Sequence, residues 1–447
     1  MPKRVKVGYV KKDYVVNKGI NIPQNITHHL IDGKHLFIAP EKASWISTNE
    51  MGKIFLDYFG NGYSIKQVID ELRLKNIENE VITSELRDFL VKVEKKGFLE
   101  DAVIREEESE ISLQLYLTTA CNLKCSHCYL GAGKVIEDEL SVEEFGAIID
   151  EFACLHKTKV VFTGGEPLLF GDNFFKLADR AKKNNLRVQL FTNGTLISRK
   201  IKNKLEEYVD EIQFSLDGTT TEVNDEIRGQ GVFNRVLENL RLLMNTKIKL
   251  KLSMVLMPGN AADLKRNIET LAQSLDNVEM KFGFAIIEGR ADESLKFSSP
   301  AEGDRELQEI LKILYKKKLK AMIKFEPNLI VRNCGYGEVI TVSSNGDVFP
   351  CAVLKYKTGN IRTDNFSGLV EDIKKRTIAS NVENLEGCSQ CDLEYICFGG
   401  CRLNNITYNN SILKPHCPPE KKEELYKKLV VRDSFDALSI WLGDYKN

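Results

Sequence analysis

The sequence has no uninterrupted apolar run of about 18 residues, the length a helix needs to cross a bilayer, so no segment is expected to span a membrane. Its basic opening, MPKRVKVGYVKKDY, lacks the apolar core of a secretory signal. Net charge is lacking as well: 63 basic side chains nearly cancel 64 acidic ones. That balance gives no electrostatic reason to expect nucleic acid or a membrane surface as partner. A cytoplasmic protein is expected. An even cysteine count is also missing. Eleven cysteines in a long chain without a targeting segment do not read as a disulfide framework, which is a device of short secreted domains. In a reducing compartment clustered cysteines are metal ligands, and here three fall within 121–128 and seven within 334–417. Cys154 stands apart in the apolar run EEFGAIIDEFACL, where it is expected to pack as a small hydrophobe.

What remains is ordinary globular composition, 43% hydrophobic and 28% charged over 447 residues, enough for two or three domains. The first hundred residues predict a small α+β unit. HHLIDGKHLFIAP reads as two short strands around Asp32-Gly33, a favoured tight-turn pair. After Trp45-Ile46-Ser47-Thr48-Asn49 comes the helical run EMGKIFLDYF, stopped by Gly60-Asn61-Gly62. Ser64-Ile65-Lys66-Gln67 fits a capping box, and the helix it opens places Ile65, Val68, Ile69 and Leu72 on one face. A third helix, SELRDFLVKVEKK, presents Leu86, Phe89, Leu90 and Val93 and ends at Gly97. Three short helices with a hairpin suggest a winged helix-turn-helix. Residues 25–101 nevertheless hold 10 Lys/Arg against 13 Asp/Glu, the wrong balance for a DNA reader.

An acidic linker, Arg105 to Glu110, follows. From 111 to about 287, ISLQLYLT, KVVFTGG, LRVQLFT, EIQFSL, IKLKLSMVL and VEMKFGF read as six strands, with amphipathic helices between them. Such alternation predicts parallel strands with crossovers, in a barrel-like or doubly wound sheet, and functional residues at the strands' C-terminal ends. After a charged helix at about 302–320 the chain becomes glycine- and cysteine-punctuated. Its hydrophobic pattern is too weak for a core of its own, so metal clusters are expected to supply order.

Cys121-x3-Cys125-x2-Cys128 begins directly after the first of the six strands. Three thiolates can hold three irons of a [4Fe-4S] cube and leave the fourth iron open to a substrate. The alternative, a zinc site with His127 as a further ligand, is disfavoured because zinc sites build on paired Cys-x-x-Cys or His spacings. The motif resembles the signature of the radical S-adenosylmethionine (SAM) superfamily, and the resemblance extends over about 111–290. It implies that SAM chelates the open iron and is cleaved reductively to a 5′-deoxyadenosyl radical. His127 takes the penultimate signature position, near adenine in that family. Gly164-Gly165-Glu166-Pro167 ends the second strand and is similar to the family element that bonds the methionine amino group. Its glycines permit close backbone approach, and Glu166 can accept a charge-assisted hydrogen bond from an ammonium. Asn193 and Ser215 to Asp217 close the third and fourth strands, where the family contacts ribose and methionine carboxylate; Asn193 and Asp217 equally suit turn caps. Arg228 matches a family arginine near the site, although the usual His-Asp opening is Asn224-Asp225 here. A surface salt bridge is its alternative role.

The second cysteine series runs Cys334, Gly346, Cys351, Cys388-x2-Cys391-x5-Cys397-x3-Cys401 and Cys417. It resembles the SPASM domain of radical enzymes that modify peptides and proteins. By that resemblance Cys388, Cys391, Cys397 and Cys417 bind a distal [4Fe-4S] cluster, and Cys334, Cys351 and Cys401 a proximal one with an iron lacking a cysteine ligand. The N-terminal unit is similar to the PqqD-like RiPP recognition element, in which the leader of a ribosomal precursor peptide adds as a strand to the sheet edge beside a helix.

The expectation is therefore α/β: a partial (β/α)6 TIM-like barrel core, an N-terminal winged helix-turn-helix and a C-terminal SPASM domain. The segments are 1–102 (recognition element), 103–290 (radical SAM core), 291–330 (helical bridge) and 331–447 (SPASM). The expected activity is maturation of a precursor peptide of sactipeptide or ranthipeptide type. It needs three [4Fe-4S] clusters, SAM and an electron donor such as flavodoxin or ferredoxin, without nucleic acid or membrane. A thioether from cysteine sulfur to carbon is the preferred product, because the open proximal iron can hold a substrate thiolate. Carbon–carbon crosslinking and epimerisation use the same machinery, though an epimerase needs a hydrogen donor and Cys154 is the only spare thiol. Sulfatase-type oxidation is disfavoured because the sulfatase-maturing family places an aspartate directly after the cysteine corresponding to Cys351, and that position is Ala352 here. A DNA-binding iron–sulfur redox sensor is the rival from another class, opposed by the acidic balance of the first unit and by the GGEP element.

Overall fold

The computed structural model describes residues 4–5, 14–15, 17–106, 110–156, 158–275, 277–316, 321–322, 327–353 and 356–434. The chain divides into two compact units. The first comprises residues 1–108, 324–334 and 380–447, and the second residues 109–323 and 335–379.

In the first unit, β1 (Thr27–Ile31), β2 (Lys34–Ala39) and β3 (Ser44–Thr48) form an antiparallel sheet in that order. Asp32 and Gly33 both have positive φ, 48° and 73°, as the two-residue hairpin requires. Three helices follow: α1 (Glu50–Gly60), α2 (Ile65–Leu74) and α3 (Asn79–Lys95). The capping box at Ser64 forms in both directions. Ile65, Val68 and Leu72 are buried, with Ile69 packed at the margin. The third helix starts at Asn79, upstream of the predicted Ser84, because Ile82 continues the buried stripe of Leu86, Phe89 and Val93. Gly97 (φ 56°) ends it.

The second unit is built on a parallel sheet. Its strands are β4 (Ser112–Tyr116), β5 (Lys159–Thr163), β6 (Arg187–Thr192), β7 (Glu211–Ser215), β8 (Lys249–Leu256) and β9 (Glu279–Phe284). Each pairs in parallel with the next in sequence. Sequential order without reversal is the winding of an open (β/α)6 barrel, since a doubly wound sheet reverses at a switch point. Between the strands lie α4 (Val142–Leu155), α5 (Asp172–Lys183), α6 (Arg199–Tyr208), α7 (Thr221–Arg228), α8 (Val232–Leu243) and α9 (Pro258–Ser274), and α10 (Pro300–Lys316) comes after β9. Cys154 does lie in α4, but it is exposed. The expectation that it packs as a core hydrophobe is corrected: Phe152 and Ala153 take the inward positions of that turn, which turns the next residue outward.

The segment 331–447 contributes to both units. Its β10 (Val339–Val342) adds in parallel beside β4, followed by the antiparallel β11 (Asp347–Phe349) and β12 (Gly359–Asn360) and by α11 (Phe366–Ala379). Residues 380–434 carry α12 (Glu394–Cys397), α13 (Arg402–Asn409) and α14 (Pro419–Ser434) and belong to the first unit. The missing core of this segment is found there: Leu393, Ile396, Tyr426, Leu429 and Val430 pack on Leu36, Ile38 and Trp45 of the small sheet. No helix among the described residues is long and apolar enough to cross a membrane.

A buried polar lock fastens α14 to the edge strand β3. The Asp433 carboxylate is fully buried, accepts from the Ser47 N–H (2.7 Å) and hydroxyl (2.9 Å), and pairs with Lys92 (2.9 Å) and Lys96 (3.1 Å). Burial opposes its ionisation, but Lys96 and Lys92 outweigh burial and hold the carboxyl below its ordinary value. A carboxyl whose pKa is depressed by folding stabilises the fold above the unfolded pKa, about 3.9, and ceases to do so as the pH falls below it. Asp433→Ala is expected to lower the unfolding free energy at pH 7 by about 3 kcal/mol, because it strands the buried Lys96 ammonium and removes the anion facing half-buried Lys92. In urea titrations the gap between wild type and variant should narrow below about pH 4; an unchanged midpoint at pH 7 would show the lock to be idle.

Candidate active site

Four consecutive strand ends of the second unit carry the residues singled out from sequence. Cys121, Cys125 and Cys128 lie in the loop after β4, the Gly164–Pro167 turn follows β5, Asn193 follows β6, and Ser215 closes β7. Parallel pairing puts all of them at one end of the sheet.

The cysteine loop has no helix or strand of its own and is tied down by neighbours. Arg290 donates to the carbonyls of Cys125 (2.9 Å) and Ala132 (2.8 Å). Gly289 precedes it with φ 63°, and a Cβ there would fall 2.5 Å from the Cys128 carbonyl oxygen. Nothing in the sequence marks Arg290: it lies past the last strand, outside any motif. The Glu139 carboxylate accepts from Thr119 N (2.7 Å) and from the Thr118 and Thr119 hydroxyls, fixing the entry to the loop.

The GGEP turn is docked on the same entry. Gly165 N and Glu166 N donate to the Thr118 and Ala120 carbonyls, each at 2.8 Å. A Cβ on Gly165 would lie 2.0 Å from the Ala120 oxygen, and one on Gly164 (φ 128°) 2.6 Å from the Thr118 oxygen. The close approach these glycines permit here is therefore to the chain leading into Cys121. Glu166 is fully buried. Its carboxylate accepts from Thr192 Oγ1 (2.8 Å), Asn193 N (2.8 Å) and Leu168 N (3.1 Å). Burial nevertheless pushes its pKa up to about 7, and no cationic side chain is among the groups acting on it. Thr192, a strand residue without a motif, is the partner that sequence reasoning does not find.

Asn193 acts in two directions. Its Oδ1 caps Thr195 N (2.9 Å), the turn role, while its Nδ2 reaches Asn122 Oδ1 (2.9 Å) and points toward the Cys121 sulfur (3.9 Å). Asp217 is fully buried. Its Oδ1 accepts from Val255 N (2.7 Å), and its Oδ2 pairs with Arg228 (2.7 Å) and lies 3.2 Å from His127 Nε2. Arg228 is buried rather than a surface partner, and its Nη1 approaches the Cys125 sulfur at 3.9 Å. Burial lowers the His127 pKa, and its Nδ1 is buried without a hydrogen-bond partner. Asn224 and Asp225, which replace the family's His-Asp, are buried structural groups: Asn224 Oδ1 accepts from Asp217 N and Asp225 accepts from Gly231 N and Phe233 N. Ser215 stands half-buried opposite Ser253 of β8.

These residues fit the expected ligands. Cys121, Cys125 and Cys128 are close enough to influence one another electrostatically, and Glu166 is a buried carboxylate with no cation of its own, as a bound ammonium requires. Burial pushes the Cys121 and Cys125 thiols up, so their deprotonation needs a metal's charge.

In the first unit Cys388, Cys391, Cys397 and Cys417 line one cavity. Burial, and then the neighbouring thiols, push Cys388 up to about 11. Among the described residues no three His, Cys, Asp or Glu side chains converge on one metal-ion position. Cys334 and Cys401 share a hydrogen bond, which holds Cys401 below the ordinary thiol value and Cys334 above it. Cys351 follows β11 in the second unit.

The chain belongs to the radical SAM superfamily, which residues 115–271 match. Residues 334–392 match SPASM, an iron-sulfur cluster-binding domain; Cys397, Cys401 and Cys417 lie beyond the matched range. Iron–sulfur clusters of the [4Fe-4S] type and SAM are the cofactors this membership implies. An AdoMet-dependent heme synthase from Methanosarcina barkeri is 30% identical over 67% of this chain and 94% of its own length. The mycofactocin maturase MftC from Mycolicibacterium smegmatis is 30% identical over 66% of this chain and 78% of its own. Among solved structures, Streptococcus suis SuiB bound to S-adenosylmethionine covers 89% of this chain and 99% of its own, with a TM-score of 0.56 at 17% identity. SuiB has also been solved bound to the precursor peptide SuiA.

Proposed function

We propose that this chain is a cytoplasmic maturase that modifies a ribosomally made precursor peptide. The observation that carries this reading is extent. The SuiB fold covers 89% of the chain, more than residues 103–447 can supply, so the likeness continues into the N-terminal unit. SuiB is a protein solved with a precursor peptide. The heme synthase, by contrast, uses up 94% of its length on 67% of this chain. Heme synthesis is the second reading, favoured by that same alignment.

In the proposed enzyme Cys121, Cys125 and Cys128 hold the cluster with the open iron. Cys334, Cys351 and Cys401 hold the proximal auxiliary cluster, and Cys388, Cys391, Cys397 and Cys417 the distal one, three clusters in all. With that cluster and SAM in place, the site would supply reductive cleavage of SAM to a 5′-deoxyadenosyl radical, the electron coming from a donor such as flavodoxin or ferredoxin. Around them, Glu166 receives the methionine ammonium in a site without a competing cation. Asn193 and Ser215 offer polar groups to ribose and carboxylate, and His127, held by Asp217, presents its ring to adenine. Gly164 and Gly165 fix the turn that aims Glu166. Arg228 neutralises Asp217 and turns a donor toward the Cys125 sulfur, which favours the thiolate. A thioether is the preferred product, because a proximal cluster with three cysteine ligands leaves an iron for a substrate thiolate. Residues 1–102 act as a PqqD-like recognition element, 103–290 as the radical core, 291–330 as a bridge and 331–447 as the SPASM region. The leader adds to an edge of the β1–β3 sheet, where main-chain groups pair and side chains select.

The test is binding. A labelled precursor peptide, taken from a short cysteine-bearing reading frame beside this one, is titrated into the full chain. Saturable binding that is lost when the leader half is removed is expected. Equal binding of the leaderless peptide would overturn the recognition role of residues 1–102.

A further inference from the structure

Arg402 has the largest fully buried side chain in the described structure, at 0% exposure. Its guanidinium donates to four main-chain oxygens: Ser380 (2.8 Å), Phe398 (2.8 Å), Gly400 (2.8 Å) and Arg332 (3.4 Å). Arg332 lies two residues before Cys334, and Phe398 and Gly400 lie between Cys397 and Cys401. A Cβ at Gly399 would be 3.2 Å from Arg402 Nη1 and 3.6 Å from the Cys388 sulfur, so cation and thiol flank the same glycine. Among the described residues no carboxylate pairs with Arg402. A buried cation without a counter-ion is strongly disfavoured, and neutral carbonyls orient it without cancelling its charge. Four cysteines, Cys334, Cys388, Cys397 and Cys401, act on it electrostatically, and as cluster ligands they would be thiolates. Two of these belong to each auxiliary ligand set.

We propose that Arg402 is a shared counter-ion of the two auxiliary iron–sulfur clusters, positioned to hold both reduction potentials up so that each can accept an electron. This rests on the reading that the seven cysteines hold two four-iron clusters. A thiolate-ligated cluster is anionic and gains one more negative charge when it takes up an electron. A fixed cation in a low-dielectric site therefore stabilises the reduced form more than the oxidised form. Arg402 acts through the cysteine ligands and holds no cluster itself, so it is a positioning residue. Its charge is expected to bear on the auxiliary pair.

The experiment is a dithionite titration, followed by EPR, of the anaerobically reconstituted full chain and of Arg402→Lys and Arg402→Gln, with iron counted in each. About twelve irons per wild-type chain are expected for three four-iron clusters; a count near four would overturn the underlying two-cluster reading itself. With that count met, Arg402→Gln should lower the reduced-to-oxidised ratio of the auxiliary signals at least tenfold at fixed potential, 59 mV for a one-electron couple. The signal of the Cys121–Cys128 cluster should stay in place. Arg402→Lys should retain most of the wild-type ratio, since it keeps the charge. If Arg402→Gln loses auxiliary iron while Arg402→Lys keeps it, the charge is required for the clusters, as proposed. If both variants lose it equally, or if Arg402→Gln keeps its iron and its potentials, Arg402 is only a loop staple and the proposal fails.

Discussion

Replacing Cys121, Cys125 and Cys128 together by alanine is expected to abolish 5′-deoxyadenosine formation while leaving about two thirds of the iron in the protein. The three thiols are the only cysteines on the loop after β4. The remaining candidate ligands lie elsewhere, and four of them line their own cavity in the first unit. Loss of one site should therefore not empty the others. The pair of readouts matters, because a misfolded variant would lose all its iron together with its activity. Chromatography of the quenched reaction and a colorimetric iron assay on the same sample give both values. Retained 5′-deoxyadenosine in the triple variant would place the SAM-cleaving cluster on other cysteines.

The second large effect is expected at Asp217. Asp217→Ala removes the acceptor for the Val255 amide and the anion facing Arg228 and His127. Leaving Arg228 buried without a partner should cost roughly 3–5 kcal/mol. A positioning carboxylate beside a metal centre commonly changes activity by roughly 10–100-fold when it is lost, so SAM cleavage should fall in that range. Asp217→Asn separates the two roles. It keeps an oxygen for the Val255 amide, and so most of the stability, but it loses the charge. Thermal melts of the two variants beside their 5′-deoxyadenosine rates test this division. If Asp217→Asn melts with wild type and also turns over like wild type, the His127–Asp217–Arg228 arrangement is purely structural.

Much of this was legible in the sequence, for identifiable reasons. The strands of the second unit could be read because each is a short apolar run bounded by turns, and their parallel order follows from the helices between them. The site motifs were legible because they sit next to those strand ends. The capping boxes at Ser64 and Ser141 are local and form as local rules require. What escaped is non-local. Glu166 could be matched to a ligand, but its dependence on Thr192 requires two strand ends to meet. Arg290 holds the cysteine loop from more than 150 residues away in the sequence. The weak pattern after residue 331 reads as a segment without a core, because part of that core is supplied by β2 and β3 at the other end of the chain. Cys154 was misread because an apolar run hides the phase of its helix, and only packing decides which residue of a turn faces out.

The central claim, that a peptide receives the chemistry, is tested most directly by mass spectrometry of the precursor peptide after co-expression with the full chain or with its triple-alanine variant. The account predicts loss of two hydrogens per crosslink with the wild-type chain, no such loss when the peptide's cysteines are replaced by serine, and no change with the variant. An unaltered peptide, together with SAM-dependent formation of heme from an iron porphyrin by the same preparation, would contradict it.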